Sequence, residues 1–556
     1  MASNSDAKGV RVIIIGAGLA GIATAIALKT QLNFDNFTIY EKADAVGGVW
    51  QENTYPGCGS DVPGHWYSLS TAPNPAWASY YPAQPALRAY WHGLWARHAL
   101  AAHTRFRAEV VAAEWEPARA LYRVAVEERG EGAKGVERRE VEAEVVVWAV
   151  GGFQAPHVPA GLRGVDAFRG EAWHSARWRH DVPLAGKRVG VIGNGCSAAQ
   201  FVPKISEDPS TEVINFVRSP QWYVPRAQYD YPEWVKWVFA HVPLAMWAYR
   251  AFIMASLDFN YVVFREGSPA QNIARKRLTE YIERMAPKEY HDQLIPKYPP
   301  GCKRMIVDPS YLSSLARPNL NLEWTAIDEI VEEGIKLKTG EVVPLDVIIF
   351  GTGFELLPPR LEIKGTKGTL SEYFKAHGGA AAYLGLAAPT FPNLFMLLGP
   401  NSAGGHASVI FVEETQLQHA LVLIKPIIEG KAKSFSVRED VTDRYNQWLQ
   451  DRISRTVWNS CHSYYRADGQ SGRNIAIFPG PVTLFWWLAR RPRLADYHAV
   501  GAERFLRERR LQTLEWWVFV GVLAASLVVG IVPPQLARGA VWSVWAKVLE
   551  VLGGLV

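Results

Sequence analysis

Val10 to Ala25 reads VRVIIIGAGLAGIATA, and the reading of this stretch decides the fold. Val10 to Ile15 is a short, mostly β-branched run of the kind that lies buried inside a parallel sheet. It passes directly into Gly16-Ala17-Gly18-Leu19-Ala20-Gly21 and then into an Ala-, Leu- and Ile-rich helix. Each glycine answers a physical need. Gly16 makes the tight turn, Gly18 lets backbone N–H groups approach a pyrophosphate, and Gly21 lets the helix lie close on the strand. The pyrophosphate then sits at the positive end of the helix dipole. Twenty residues after Gly21, closing the apolar strand Phe37–Tyr40, stands Glu41, spaced to accept hydrogen bonds from a ribose. An acid there favours a free 2′-hydroxyl, hence FAD or NAD rather than NADP.

The theme returns at Lys187 to Gln200, KRVGVIGNGCSAAQ, where the strand Val189 to Ile192 meets Gly193-Asn194-Gly195-Cys196-Ser197-Ala198 and a second helix. Twenty residues after Ala198 the ribose position holds Arg218 with Ser219 beside it. A guanidinium and a hydroxyl suit a 2′-phosphate, because Arg offers charge-assisted, bidentate hydrogen bonds. The second site is therefore expected to take NADP(H). One such glycine motif is weak evidence on its own. Two, each after a strand and with opposite chemistry at the ribose position, are specific.

A chain of 556 residues, 49% hydrophobic and 20% charged, suits two or three globular domains. A net charge of +5 without a block of like charge gives no nucleic-acid surface. Cys58, Cys196, Cys302 and Cys461 lie far apart with no CxxC spacing, which argues against a disulfide framework, a zinc site and a redox pair. Polar Met1 to Gly9 and the short run Val10 to Ile15 lead to the expectation of no signal peptide before the first strand. The expected architecture is α/β, with two Rossmann-like dinucleotide-binding domains. Residues 1–160 form the first part of the FAD domain. Residues 161–345 form the NADP domain, with a helical insertion at about 226–300, and 346–500 complete the FAD domain.

Between these landmarks, Val110 to Trp115 and Leu121 to Val126 alternate like an antiparallel insertion, and Phe153 to Pro159 is a proline-punctuated hinge. Tyr229 to Phe264, rich in Trp, Phe, Met and Leu, is expected to form two buried helices, with a lipophilic substrate wall as the sharper alternative. Val347 to Phe350, followed by Gly351-Thr352-Gly353, is expected to complete the FAD sheet.

Residues 501–556 form a hydrophobic tail expected to reach a membrane. Its core, Trp516 to Val532, is an uncharged apolar run of 17 residues stopped by Pro533-Pro534. At about 1.5 Å per residue it reaches roughly 26 Å, barely a thin bilayer. A transmembrane helix, an interfacial anchor and a tail packed on the body all remain open. Arg504, Arg507, Arg509 and Arg510 crowd before the run, which by the positive-inside rule puts the catalytic body on the cytosolic face, the endoplasmic reticulum being one candidate membrane.

Between hinge and second glycine motif stands Phe168-x-Gly170-x-x-x-His174-Ser175-x-x-Trp178. With Gly47-Gly48-Val49-Trp50, Tyr55-Pro56-Gly57, Ser60-Asp61, Lys303-Arg304, Gly351-Thr352-Gly353 and Gly399-Pro400-Asn401, it resembles the class B flavoprotein monooxygenases, most of all the type I Baeyer-Villiger monooxygenases, over about residues 10–485. The resemblance implies that Glu41 binds the adenosine ribose of FAD and that Gly48, Trp50, Asp61 and Tyr67 line that cofactor. It implies that Gly193, Asn194, Gly195, Ser197 and Ala198 cradle the NADP pyrophosphate, with Arg218, Ser219 and Lys303 at the 2′-phosphate. Arg304 then matches the active-site arginine, Asp61 its carboxylate partner, and His174 a residue that couples domain position to catalysis. Three positions depart from the family pattern. Arg179 follows Trp178 where Pro or Asp is usual, Ser60 replaces a Cys, and Tyr464 stands where a Trp is common.

The implied activity is FAD-dependent, NADPH-consuming insertion of one oxygen atom of O2 into a lipophilic substrate, foremost a ketone giving an ester or lactone. The alternative within this scaffold is N- or S-oxygenation or hydroxylation. A different class is a membrane-tethered NADPH oxidase or a non-catalytic flavoprotein.

Overall fold

The computed structural model describes residues 9–130, 135–356, 360–469, 471–511 and 520. Its frame is a pair of five-stranded parallel sheets. The first runs, edge to edge, Leu394–Met396, Val145–Trp148, Val12–Ile15, Phe37–Tyr40 and Thr104–Arg105. The alternation along Val12–Ile15 divides the interior. Val12 and Ile14 point to the core shared with helix α1 (Leu19–Gln31), whereas Ile13 and Ile15 point to a second core made with an antiparallel sheet built on Ala108–Glu116 and Leu121–Arg129. The expected antiparallel insertion is there. Its third strand, Val136–Ala143 (VERREVEA), is mostly exposed and so carried no alternation to read.

The second sheet runs Leu320–Glu323, Glu212–Phe216, Arg188–Ile192, Val347–Phe350 and Glu171–His174. Helix α2 (Cys196–Ile205) follows its central strand. Here one expectation is corrected. Val347–Phe350 does not complete the first sheet but lies in the second, beside Arg188–Ile192, and the first sheet is closed by Leu394–Met396. All four of its side chains are buried, so the run has no polar phase to show which sheet it joins. The glycine turn after it closes on the second glycine motif, where a Cβ on Gly193 would stand 2.6 Å from the Gly351 carbonyl.

The insertion carries α3 (Glu233–His241) and α4 (Ala245–Phe259). They are not the buried pair that their composition predicts. Trp234, Trp237, Trp247 and Phe252 are exposed, while the only charged residues of α4, Arg250 and Asp258, are buried. Farther on, α5 (Val409–Ile428) packs on α1 and on α6 (Val482–Ala489). Among the described residues no single helix is long and apolar enough to cross a membrane, and the candidate span Trp516 to Val532 lies outside the described residues except Val520.

Candidate active site

Helix α1 starts at Gly18 with no side-chain cap, leaving its first N–H groups free for an anion. The glycine turn before it is held from two sides. Glu41, nearly fully buried, accepts from Ala17 N at 2.6 Å through one carboxylate oxygen and from Ala43 N at 2.9 Å through the other. Burial pushes its pKa up, and these two N–H donors pull it back. Glu41 thus shapes the turn as well as standing at the ribose position, with lone pairs remaining on both oxygens. From the other side the loop 47–50 crosses the turn so closely that a Cβ on Gly48 would meet Gly18 Cα at 2.9 Å. That loop buries Trp50, whose Nε1 donates to Tyr67 Oη at 3.3 Å. An uncapped helix end, glycines facing across a narrow turn and a buried acid one strand away fit FAD.

Helix α2 likewise starts, at Gly195, without a side-chain cap. Asn194 Nδ2 donates to the Ser219 carbonyl at 3.0 Å and Lys303 Nζ to Ser219 Oγ at 3.0 Å. Lys303 also lies over the Tyr298 ring, 4.8 Å from its centroid. Burial, and then the Arg218 charge, lower the Lys303 pKa. Arg218 is exposed and has no acidic partner among the described residues. Lys303 on the Ser219 hydroxyl, with the exposed Arg218 one residue away and near enough to act on the lysine's charge, fits a 2′-phosphate. Arg218→Ala is accordingly expected to raise the NADPH KM about tenfold to a hundredfold, the equivalent of roughly 1.5 to 3 kcal/mol, and to leave NADH nearly unaffected. Steady-state kinetics with both nucleotides checks this, and equal effects on the two would remove Arg218 from the phosphate site.

The two nucleotide sites are interlocked by a contact that sequence reading missed. Tyr55 Oη donates to Gln200 Oε1 at 2.9 Å and shares a hydrogen bond with Ser197 Oγ at 3.3 Å, and Gln200 Nε2 donates back to the Gly59 carbonyl at 3.0 Å. The loop 55–61 is therefore pinned to α2. Asp61 at its end meets Arg304, whose Nε donates to Asp61 Oδ2 at 3.1 Å, with Nη2 on the same oxygen and Nη1 on the Gly405 carbonyl at 3.3 Å. Asp61, the largest influence on it, raises the Arg304 pKa, so the guanidinium is always charged. A parallel bridge of Tyr223–Val224 with Ile306–Val307 steadies the Arg304 segment from behind.

One reading of the cysteines is overturned here: Cys302 and Cys461 form a disulfide, with Cα atoms 6.1 Å apart. They are 159 residues apart in sequence, so no local spacing could announce the pair. The bridge ties the residue next to Lys303-Arg304 to the loop carrying Tyr464 and Tyr465. The Tyr465 hydroxyl is pushed up to about 12 by burial, against the lowering effect of Arg304.

His174 ends the edge strand of the second sheet. Its Nδ1 accepts from Ala176 N at 3.1 Å, and burial lowers its pKa to about 4, so the ring is neutral at pH 7. Its Nε2 is buried without a partner among the described residues. Its contacts are with Ala176, Gly353 and Phe354, and none is with Arg304 or Asp61.

Two nucleotide seats joined by a fixed cation define a flavoprotein oxidoreductase supplied with electrons by a nicotinamide nucleotide. A family model for the NAD(P)-binding Rossmann-like domain matches residues 14–82, and one for L-lysine 6-monooxygenase/L-ornithine 5-monooxygenase matches residues 86–242. The chain is 33% identical over 500 residues to a Baeyer-Villiger monooxygenase of Pseudomonas aeruginosa, covering 88% of this chain and 92% of that one. It is 33% identical over 502 residues to another from Streptomyces coelicolor, covering 88% and 93%. Among solved structures, steroid monooxygenase bound to NADP matches with a TM-score of 0.73 at 26% identity over 88% of this chain and 99% of that one. The closed form of cyclohexanone monooxygenase shares the fold with a TM-score of 0.76 at 24% identity over the same shares. The chain belongs to the Baeyer-Villiger monooxygenase family, and it is an oxidoreductase with FAD and NADPH as cofactors.

Proposed function

We propose that this protein inserts one oxygen atom of O2 beside the carbonyl of a lipophilic ketone, forming an ester or lactone, and that it works at a membrane. The observation that carries the reaction is Arg304, held by Asp61 where the two nucleotide seats meet. FAD, once reduced by NADPH, supplies the activated oxygen. The rest falls to the chain. Negative charge builds on the carbonyl oxygen as that carbon becomes tetrahedral, and a fixed cation in a partly dehydrated site stabilises it most where it is most developed. Asp61 aims the guanidinium and tempers its charge. Tyr465, buried on a loop tethered through Cys461, lies within electrostatic reach of the cation, and the half-exposed Tyr464 stands next to it.

A panel of lipophilic ketones turned over under 18O-labelled O2 tests the reading. One labelled oxygen in an ester or lactone, matched to NADPH consumed, is expected. The match of residues 86–242 to the L-lysine 6-monooxygenase/L-ornithine 5-monooxygenase model, whose named substrates are amines, makes heteroatom oxygenation the second reading, and oxygenation of amines or sulfides alone would decide for it. Release of peroxide equal to NADPH consumed with every compound would make the protein an oxidase.

The membrane part of the proposal is supported by the apolar run Trp516 to Val532 and the four arginines at 504–510 before it. Ending the chain after Arg510 is expected to release active, yellow enzyme from membranes without detergent, because every nucleotide-binding residue lies upstream. Fractionation of the full and shortened chains checks this. Full-length protein soluble without detergent would remove the tail as an anchor.

A further inference from the structure

Helices α3 and α4 carry large apolar side chains on their outer face as well as on the face packed against the core. The charged residues of α4 point inward. Arg250 Nη1 donates to the His65 carbonyl and to Ser68 Oγ, and Nη2 to the Ser68 carbonyl. Asp258 accepts from Val482 N, Thr483 N and Thr483 Oγ, and pairs with His406 at 3.2 Å. Facing outward are Trp234, Trp237, Leu244, Trp247, Phe252 and Phe259, each between 58% and 76% exposed. Ordinary amphipathicity would reverse this arrangement.

The corner itself is built to present an apolar tip. The two helices meet at a sharp bend, 108°, across Val242-Pro243-Leu244, and Leu244 sits in the left-handed region at φ 64 with its side chain in solvent. A Leu in that conformation is uncommon. Asp258 ties α4 to the first residues of α6, which carries two further exposed tryptophans, Trp486 and Trp487. Arg490 stacks on both, 4.5 and 4.2 Å from their ring centroids, and Arg491 and Arg493 follow. Lys236 on α3 is paired with Glu233. The corner is thus apolar and Trp-rich, and α6, joined to α4 through Asp258, adds two tryptophans and a run of arginines.

We infer that the α3–α4 corner, with Trp486 and Trp487, is a docking face that dips into the interface of an anionic lipid bilayer. Tryptophan concentrates where hydrocarbon gives way to headgroups, and arginine beside it reaches the phosphates. With nine and 15 residues neither helix is long enough to span alone, and the 108° bend between them suits a shallow insertion at the interface. The sequence beyond residue 511 points to the same occupant, since it carries the apolar run Trp516 to Val532. The inference rests on the reading that the protein works at a membrane, but it does not depend on the tail as the anchor.

The test uses the full chain with phosphatidylcholine vesicles, with and without phosphatidylserine. Hydrogen exchange is followed by mass spectrometry across 233–259, 482–491 and 512–556. Vesicles containing phosphatidylserine are expected to protect 233–259 and 482–491. The variant Leu244→Glu/Trp247→Glu/Phe252→Glu changes only exposed side chains and should keep its FAD and its NADPH oxidation. It is expected to lose that protection and to bind these vesicles at least about tenfold more weakly. Protection confined to 512–556, with binding unchanged in the variant, would overturn the docking face and leave the tail as anchor. Protection of 233–259 without vesicles would overturn it too, in favour of a second copy if it grows with protein concentration and of the tail packing there if it does not. Equal binding to vesicles lacking phosphatidylserine would overturn the anionic preference. Absence of binding to any vesicle would overturn the membrane reading itself.

Discussion

Arg304→Ala is expected to keep FAD and both nucleotide seats while lowering ester or lactone formation about a hundredfold to a thousandfold, the usual consequence of losing one preorganised group that stabilises developing charge. NADPH oxidation should persist in part, and the missing product should reappear as hydrogen peroxide. The expectation rests on where Arg304 is fixed: two donors on Asp61 and a third on the Gly405 carbonyl, so that neither loop lets the guanidinium drift. Lys at this position should restore little, because a point charge cannot hold Asp61 and the Gly405 carbonyl at once. Removing Arg304 also leaves Asp61 without its partner, which by itself destabilises a half-buried site. Arg304→Ala/Asp61→Asn separates the two effects. If product formation stays low when the stranded charge is gone, the loss is electrostatic; if it recovers, the single variant was reporting misfolding of the loop. The assay is NADPH consumed, peroxide released and product formed, measured in parallel. Unchanged coupling in Arg304→Ala would remove this residue from the reaction.

What could be read from the sequence was whatever is imposed locally. Gly16 and Gly193 both have φ above +100°, and at each a Cβ would strike a carbonyl oxygen of a neighbouring strand's turn, so a glycine is demanded whatever the rest of the chain does. Glu41 and Arg218, opposite in charge at the same distance past the two glycine motifs, are likewise signals readable from local spacing. Long-range choices left no such mark. Val347–Phe350 is apolar on every side and therefore silent about its sheet, and Cys302 and Cys461 find each other only once two distant loops are in place. Tyr55 and Gln200, which lock the FAD loop to α2, are an unremarkable pair until the domains meet. The α3–α4 insertion misled for another reason. Apolar composition implies burial, yet Arg250, Met254 and Asp258 fall four residues apart on one helical face, and that stripe is turned inward.

Gly21→Ala should abolish FAD binding although it adds one methyl group. The new Cβ would stand 1.9 Å from the Gly16 carbonyl oxygen and 3.0 Å from its carbon, both backbone atoms. Nothing around them can give way. Gly16 N is bonded to the Tyr40 carbonyl at 2.8 Å, and Gly16 is itself pressed against Ala149, whose oxygen a Cβ there would meet at 2.8 Å. Relief has to come from α1 moving off the strand, and with it the uncapped N–H groups that receive the pyrophosphate. Overpacking against backbone costs on the order of 3 kcal/mol, more than a hundredfold in FAD affinity if it falls on the bound state. The second motif supplies the control. Its third position is already an alanine, Ala198, fully buried with Gly351 opposite, so that α2 is spaced to accept a methyl. Ala198→Gly should cost only about 1 kcal/mol, through helix propensity, and leave FAD untouched. Flavin absorbance per mole of protein, together with circular dichroism to show that the helices remain, distinguishes a lost seat from a lost fold. A Gly21→Ala protein that purifies with full flavin content would mean that α1 does not lie as close to its strand as the 1.9 Å approach requires.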